Sequence, residues 1–181
     1  MENLVLKTNR LINTYQLEDS GEVNTALIQL IRSCGDKQNR KTNVKAFMTD
    51  WFLPVDTKKA PYNKFFNFLH TSLMDSIAKL WLPIDYSKFP KDSYSVHSLW
   101  GTIYNKGDYT VSHNHFGATF SFCYYLKMNN PPTILRFESI DYDVVPVDST
   151  LVIFPGWIDH EVPQLDSDGE RIVLAGNILV K

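Results

Sequence analysis

The chain has 181 residues, of which 44% are hydrophobic and 21% are charged, proportions that are ordinary for a globular domain. A formal net charge of −2 provides no overall attraction to nucleic acid or to an anionic membrane, so neither is an expected partner. The sequence contains no signal-peptide pattern and no membrane-length apolar run, which predicts a cytoplasmic protein. Its two cysteines, Cys34 and Cys123, match neither a disulfide framework nor a CxxC site.

The first half of the chain has the spacing of two helices. Apolar residues recur every three or four positions from Val23 to Ile31. Asp19 and Ser20 are candidate caps before this run, and Gly35 is a candidate stop after it. The run "DKQNRKTNVK" at 36–45 follows, and we interpret it as a basic, solvated loop.

A longer helix is predicted after Pro61 and is expected to end at Pro83. One face of this helix carries a regular apolar series, namely Phe65, Leu69, Leu73, Ile77 and Leu80. Further aromatic residues lie close by, and they favour packing of this helix against a sheet. The same aromatic surface is a candidate contact in a homodimer.

From about residue 93 the pattern changes to short β-rich runs: "SVHSLWGTIY", "TFSFCYYLKM", "TILRFES", "STLVIFPG", "HEVPQL" and "RIVLAGNILV". Turn sequences such as "NKGD", "NNPP" and "DSDGE" separate them. Many short strands joined by hairpins are typical of a sandwich or barrel. We therefore predict an α+β fold, with a single domain over residues 1–181. Residues 1–92 would form a helical supporting region, and residues 93–181 a jelly-roll core of about eight strands.

Two of the five histidines, His113 and His115, lie one residue apart in "YTVSHNHFGATF". Residues i and i+2 of a strand point to the same side, about 7 Å apart, so both rings can reach one metal ion. His160, after the corner "FPGWID", is the only other histidine in a comparable context. Three histidines leave coordination positions open, as in catalytic sites and above all in those of non-haem iron. Ordinary hydrogen-bonded surface histidines are the alternative interpretation.

Arg171 opens the last predicted strand and follows His160 after a short loop. A guanidinium group on an inward-facing strand position requires an anion, and its geometry matches a carboxylate. An inward Arg171 would therefore indicate a carboxylate ligand beside the metal. The alternative is a surface arginine paired with a nearby acidic residue, namely Asp166, Asp168 or Glu170.

The segments "YNKGDYTVSHNHFGATFSFCYYL" and "LVIFPGWIDHEVPQLDSDGERIVLAGN" resemble the 2-oxoglutarate- and Fe(II)-dependent oxygenases, over roughly residues 97–180. The resemblance is strongest to a group of small 2OG-Fe(II) oxygenases and extends more distantly to the prolyl hydroxylases. By position, His113 and His160 match iron ligands, and His115 stands where most relatives carry aspartate or glutamate. The same resemblance implies a set of residues that bind 2-oxoglutarate, namely Arg171, Tyr125 and Tyr104.

This resemblance implies a double-stranded β-helix, that is, a cupin-like barrel supported by N-terminal helices. It also implies a dioxygenase that uses Fe(II), 2-oxoglutarate and O₂ to hydroxylate a substrate, with release of succinate and CO₂. The substrate is not identified, and both small molecules and peptides are open.

Two other functions remain open at this stage. The strings "GDYTVSHNH" and "PGWIDH" resemble cupin motifs, although Thr119 and Phe120 stand where a cupin glutamate is expected. A three-histidine cupin oxidises its substrate without a cosubstrate and has no need of Arg171 or Tyr125. The other possibility is a non-catalytic jelly-roll that binds a sugar or a protein through its aromatic residues.

Overall fold

A computed structural model describes residues 10–80 and 92–181 of the chain. Two α-helices lie in the first of these ranges, α1 (Gly21–Cys34) and α2 (Ala60–Leu80). The strands of the described residues are, in chain order, β1 (Asn13–Gln16), β2 (Val44–Lys45), β3 (Phe47–Met48), β4 (Tyr94–Tyr104), β5 (Tyr109–His113), β6 (Phe120–Lys127), β7 (Leu135–Phe137), β8 (Tyr142–Val144), β9 (Thr150–Pro155), β10 (His160–Val162) and β11 (Arg171–Val180).

These strands form two sheets of antiparallel strands. The larger sheet has the order β1-β9-β6-β11-β4-β3, and the smaller has the order β2-β5-β10-β7-β8. β11 lies at the centre of the larger sheet, where it pairs with β4 on one side and β6 on the other. The predicted mixture of helices and sheets is confirmed, and the sheets, rather than the helices, carry the candidate site.

The larger sheet is buried on both faces. Ile172 and Leu174 of β11 pack in a core that is shared with the two helices, whereas Val173 and Ala175 pack between the two sheets. Successive residues of a strand point to opposite faces, so one strand contributes to both cores. This two-sided burial explains why runs such as "RIVLAG" are apolar at every position except the arginine.

The prediction for α1 is confirmed in extent but wrong about its cap. The helix ends at Cys34, and Gly35 follows with φ 67°, a conformation that glycine adopts without strain. Ser20 occupies the cap position, but its hydroxyl group lies 2.5 Å from the Ser149 hydroxyl and caps no backbone N–H. A tertiary hydrogen bond therefore replaces the local one and ties the start of α1 to the turn before β9.

The predicted buried face of α2 is confirmed for Phe65, Leu69, Leu73 and Ile77. The ring of Phe65 lies 4.9 Å, between centroids, from the ring of Tyr124 on β6, so this helix packs against the larger sheet as expected. The predicted helix end at Pro83 lies outside the described residues. Neither α1 nor α2 combines the length and the apolar character that crossing a bilayer requires.

A purely helical first half is incomplete as a prediction, because β1, β2 and β3 also come from it. β1 pairs with β9 and β3 pairs with β4, both in the larger sheet, whereas β2 joins the smaller sheet through β5. Strands of two to four residues are too short to show a period in the sequence. Their conformation is decided by the partner strand against which they pair.

Gly101 on β4 allows α1 to lie close to the larger sheet. A Cβ atom at this position would lie 2.3 Å from Cγ1 of Ile31, which is fully buried. We expect Gly101→Ala to lower the free energy of unfolding by about 1–3 kcal/mol, because the helix must move away from the sheet. Chemical denaturation followed by circular dichroism measures the change. Gly21→Ala is the matched control, since nothing lies within 4 Å of its added methyl group, and it should leave stability unchanged or slightly higher.

Candidate metal centre

Three histidine rings meet at one end of the smaller sheet. His113 is the last residue of β5 and lies directly opposite His160, the first residue of β10. The ring centroids of these two residues are 4.5 Å apart, and the ring of His115 lies 4.9 Å from His113 and 5.1 Å from His160. Each ring offers one nitrogen, and the three nitrogens lie within 4.8 Å of one another, which suits binding to a single metal ion.

His115 reaches this cluster from a turn and not from a strand. β5 ends at His113, so the expectation that both residues share one strand face is wrong for His115. The backbone N–H of His115 donates to the carbonyl oxygen of Gly156 at 2.7 Å, which holds the turn against the corner before His160. A side chain at Gly156 would lie 2.4 Å from the carbonyl oxygen of Ala118, so this close approach needs a glycine.

Backbone hydrogen bonds determine which nitrogen two of the rings present. Nδ1–H of His113 donates to the carbonyl oxygen of Val111 at 2.8 Å, and Nδ1–H of His160 donates to that of Ile158 at 3.1 Å. A carbonyl oxygen only accepts, so the free lone pair of each neutral ring is on Nε2. Metal-binding histidines are commonly oriented in this way.

Burial keeps the three rings neutral. Removal from water lowers the pKa of His113 below its ordinary value. Burial, reinforced by His113, lowers the pKa of His115 to about 4, and burial together with both neighbouring rings lowers the pKa of His160 to about 3. Neutral imidazole is the form that binds metal, so no proton has to be displaced at neutral pH.

The acidic residues beside His160 do not orient its ring. Asp159 accepts a hydrogen bond from the side-chain amide of Asn114 at 2.8 Å, and Glu161 pairs with Arg136 at 3.2 Å. The backbone carbonyl of Ile158 has the orienting role instead. These partners were not recognisable in the sequence, because a backbone contact leaves no residue-type signal.

Arg171 points between the two sheets, and only 1% of its surface is exposed. Its Nη2 donates to the hydroxyl oxygen of Tyr125 at 3.3 Å, and its Nη1 donates to the carbonyl oxygen of Ile134 at 3.4 Å. The guanidinium carbon lies 5.0 Å from the ring centroid of Tyr125 and 5.3 Å from that of Tyr104. The Tyr104 hydroxyl group in turn lies 2.7 Å from that of Thr110. The structure thus brings together the three residues assigned to cosubstrate binding.

The charge of Arg171 has no carboxylate partner among the described residues. Asp168 pairs with Lys106, and Glu170 pairs with Arg32 and Lys127, so the surface pairing considered for Arg171 is wrong for these two residues. Nε of Arg171 is buried and makes no hydrogen bond. A buried, poorly paired cation is costly, so this position suits an anionic ligand.

One inner cavity connects the histidines with the arginine. Its walls include His113, His115 and His160 at one end, together with Tyr104 and Arg171. Tyr125 lies behind this wall and reaches the cavity through its contact with Arg171. Most of the remaining wall is apolar, so charges inside it interact strongly.

The sequence interpretation missed a second group of residues at the same centre. The end of the basic run, Lys41 to Lys45, borders an outer cleft together with two tryptophans and two of the histidines. The run is therefore not a loop remote from the site. The high density of positive charge in "DKQNRKTNVK" was the feature of the sequence that could have indicated a binding segment. Nothing in the sequence, however, shows where this segment packs.

The donor set fits a divalent metal ion with open coordination positions. Three imidazole nitrogens suit ions such as iron, zinc or manganese, and they leave room for further ligands. They add no negative charge, and Arg171 adds a positive one. A dianion that reaches from the metal to Arg171 would offset two of these three positive charges.

Comparison with solved structures identifies the fold. A viral collagen prolyl hydroxylase from Paramecium bursaria Chlorella virus-1, solved with 2-oxoglutarate, has a TM-score of 0.65 at 14% identity, over 93% of this chain and 95% of that one. A Pseudomonas putida prolyl-4-hydroxylase has a TM-score of 0.64 at 18% identity, over 94% and 93%. The chain has the fold of 2-oxoglutarate oxygenases. HygX from Streptomyces hygroscopicus, solved with nickel and 2-oxoglutarate, has a TM-score of 0.58 at 10% identity, over 94% and 83%.

No protein-family model and no curated protein matches this sequence. The predicted resemblance is therefore confirmed through structure, at the level of fold. At identities of 10–18%, residue roles do not transfer by alignment alone. The chemistry of the site has to be argued from the side chains present in this chain.

We expect His113→Ala and His160→Ala each to weaken metal binding by more than about 100-fold, because each removes an oriented ligand. Isothermal titration with Zn(II), or the visible spectrum of bound Co(II), measures this affinity. His97→Ala is the control, since His97 is exposed and outside the cluster. Unchanged affinity in both variants would contradict a metal site at these rings.

Proposed function

We propose that this protein is a 2-oxoglutarate- and Fe(II)-dependent dioxygenase that hydroxylates its substrate and releases succinate and CO₂. One observation carries the proposal. The guanidinium of Arg171 is buried without an acidic partner, in the same cavity as the three neutral histidines. The shared fold with 2-oxoglutarate oxygenases supports this assignment.

2-Oxoglutarate carries an anionic group at each end, and the wall of this cavity offers both a histidine cluster for a metal ion and a buried guanidinium. Its keto acid end would bind the metal at His113, His115 and His160, and its far carboxylate would meet Arg171. A dianion would offset the uncompensated charge of Fe(II), since His115 supplies an imidazole where a carboxylate is usual. Burial raises the pKa of Tyr125, so its hydroxyl group stays protonated, and a small movement of Arg171 toward the ligand would let this hydroxyl donate to the same carboxylate.

The chain's own residues would position the reactants and keep water out. Fe(II) with 2-oxoglutarate would supply the activation of O₂ that hydroxylation requires. The carbonyl groups of Val111 and Ile158 orient the rings of His113 and His160, and the apolar part of the wall disfavours water in the cavity. Arg171 is held between Tyr104 and Tyr125, which limits where the far carboxylate lies.

Arg171 also separates this function from the alternatives. A three-histidine cupin that works without a cosubstrate has no use for a buried arginine in the metal cavity. A sugar- or protein-binding module requires neither the arginine nor the oriented histidine cluster. Both alternatives leave the cost of burying this charge unexplained.

We further propose that the two sheets form a double-stranded β-helix and that the chain is a single domain. In support, strands from residues 10–80 complete both sheets, so the supporting region and the core share hydrogen bonds. A homodimer through α2 would have to use Phe66 and Phe68, which are partly exposed, because Phe65 packs against the larger sheet.

An anaerobic titration tests the function directly. Fe(II) is added to the metal-free protein, followed by 2-oxoglutarate, and the visible spectrum is recorded for the charge-transfer band of the chelate. We expect a band that saturates at one 2-oxoglutarate per chain. Iron binding without a band would instead favour the cosubstrate-free enzyme, and absence of iron binding would favour the binding module.

Replacement of Arg171 should weaken cosubstrate binding without lowering the stability of the ligand-free protein. We expect Arg171→Met to raise the 2-oxoglutarate concentration at half-saturation by about tenfold to a hundredfold, because charged hydrogen bonds are lost. Without ligand, the variant should be at least as stable as the parent, since the buried charge is gone. Thermal unfolding with and without metal and 2-oxoglutarate measures both effects, and exposed Arg10→Met is the control. A variant that reaches half-saturation at the same 2-oxoglutarate concentration as the parent would refute the role of Arg171.

A further inference from the structure

The outer cleft is a second cavity that shares a wall with the inner one. Val44, Trp100, His113 and His115 line both cavities, whereas Arg171 lines only the inner one. The outer cleft has a volume of about 430 Å³. A molecule bound there would contact the exposed side of the metal-binding histidines. This position suits the molecule that is hydroxylated.

We propose that this cleft binds an oxyanion of the primary substrate through Lys41 and Lys45. The inference depends on the proposed function only in calling this ligand the substrate, because binding of an anion in the cleft requires neither iron nor 2-oxoglutarate. The oxyanion is a carboxylate or phosphate group, carried by a small molecule or by an acidic side chain of a peptide. Its remainder packs on the indole rings of Trp51 and Trp100.

Lys45 is already held in place for this role. Its ammonium group donates to the carbonyl oxygen of Thr42 at 2.7 Å and to that of Arg40 at 3.3 Å. An ammonium group has three N–H donors, so one remains for a ligand. Little side-chain freedom is lost on binding, which favours affinity. Lys41 lies on the same wall, is exposed, and adds a second positive charge.

The basic segment is anchored to the smaller sheet and is not a free loop. Arg40 pairs with Asp108, whose side chain is only 3% exposed. The carbonyl oxygen of Asn43 accepts a hydrogen bond from the backbone N–H of Val111 at 3.0 Å. Val44 then pairs with Thr110 in the β2–β5 ladder. These contacts hold the lysines beside the metal-binding histidines.

Nothing in the described walls of the cleft offsets the positive charge. No carboxylate lines it; of the carboxylates nearby, Asp108 is paired with Arg40, and Asp159 keeps its charge but accepts a hydrogen bond from the amide of Asn114. The chain as a whole has a net charge of −2, so the positive charge of this cleft is opposite in sign to that of the whole chain. It selects an anion by simple attraction.

The apolar part of the ligand follows from the two tryptophans. The rings of Trp51 and Trp100 meet edge to face, with centroids 4.9 Å apart, and both line the cleft. Indole faces bind flat or apolar groups well. The expected substrate therefore combines an anionic group with an apolar or planar one.

A titration with benzoate and benzamide tests the proposal, because the two molecules have the same shape and differ in charge. The full-length ¹⁵N-labelled protein is titrated before any metal is added, and the amide signals of residues 41–45 and the indole signals of both tryptophans are followed. We expect saturable shifts with benzoate and none with benzamide. The blocked peptides Gly-Glu-Phe-Gly and Gly-Gln-Phe-Gly form the second arm, and tighter binding of the glutamate peptide than of benzoate would identify a peptide source.

Matched variants locate the binding site. Lys41→Gln should weaken benzoate binding by about fivefold, as expected for loss of one exposed charge, and raised salt should weaken it further. Lys58→Gln makes the same charge change on an exposed residue outside the cleft and should have no effect. Equal binding of benzamide, an unaffected Lys41→Gln variant, or shifts confined to Arg171 and its neighbours would overturn the proposal. These results are independent of the iron and 2-oxoglutarate titration, so each proposal can fail separately.

Discussion

Burial of the larger sheet on both faces is the constraint on which the site depends. The helices cover one face of β11, so the other face can form the wall of a dry cavity between the sheets. Inside such a cavity, charges are poorly screened and unpaired polar groups are costly. The same constraint keeps His113, His115 and His160 neutral and leaves the charge of Arg171 available to a ligand.

The two sheets divide the chemistry between them. The smaller sheet and its adjoining turns supply the histidines, and the larger sheet supplies Arg171 with Tyr104 and Tyr125. A ligand that spans the gap would therefore touch both sheets. Because each group is held by hydrogen bonds or ring contacts, the distance between the two ends of the cavity is determined by the packing of the sheets. This arrangement is the physical basis for proposing a cosubstrate with two charged ends.

Two cavities that share His113 and His115 fit the proposed division between cosubstrate and substrate. The inner cavity ends at a buried arginine, and the outer cleft ends at lysines that solvent can reach. A buried charge strongly favours an oppositely charged ligand, because leaving that charge unpaired is costly. Exposed charges attract their ligands more weakly, and salt reduces the attraction. The inner cavity is thus suited to one specific ligand, and the outer cleft to a wider range of anionic ligands.

The sequence alone predicted the helical faces and most strands, because periodicity is a local property, and residue type pointed to the three histidines and Arg171. Tyr104 and Tyr125 became candidates only through the resemblance to a known family. Four-residue β1 and two-residue β2 and β3 escaped prediction, since their conformation depends on the strands with which they pair. The position of His115 in a turn was likewise decided by its contact with Gly156. Whether Arg171 faced solvent or the cavity, and whether the basic run lay near the histidines, depended on contacts between residues far apart in the chain. Only the packing of the two sheets brings those residues together.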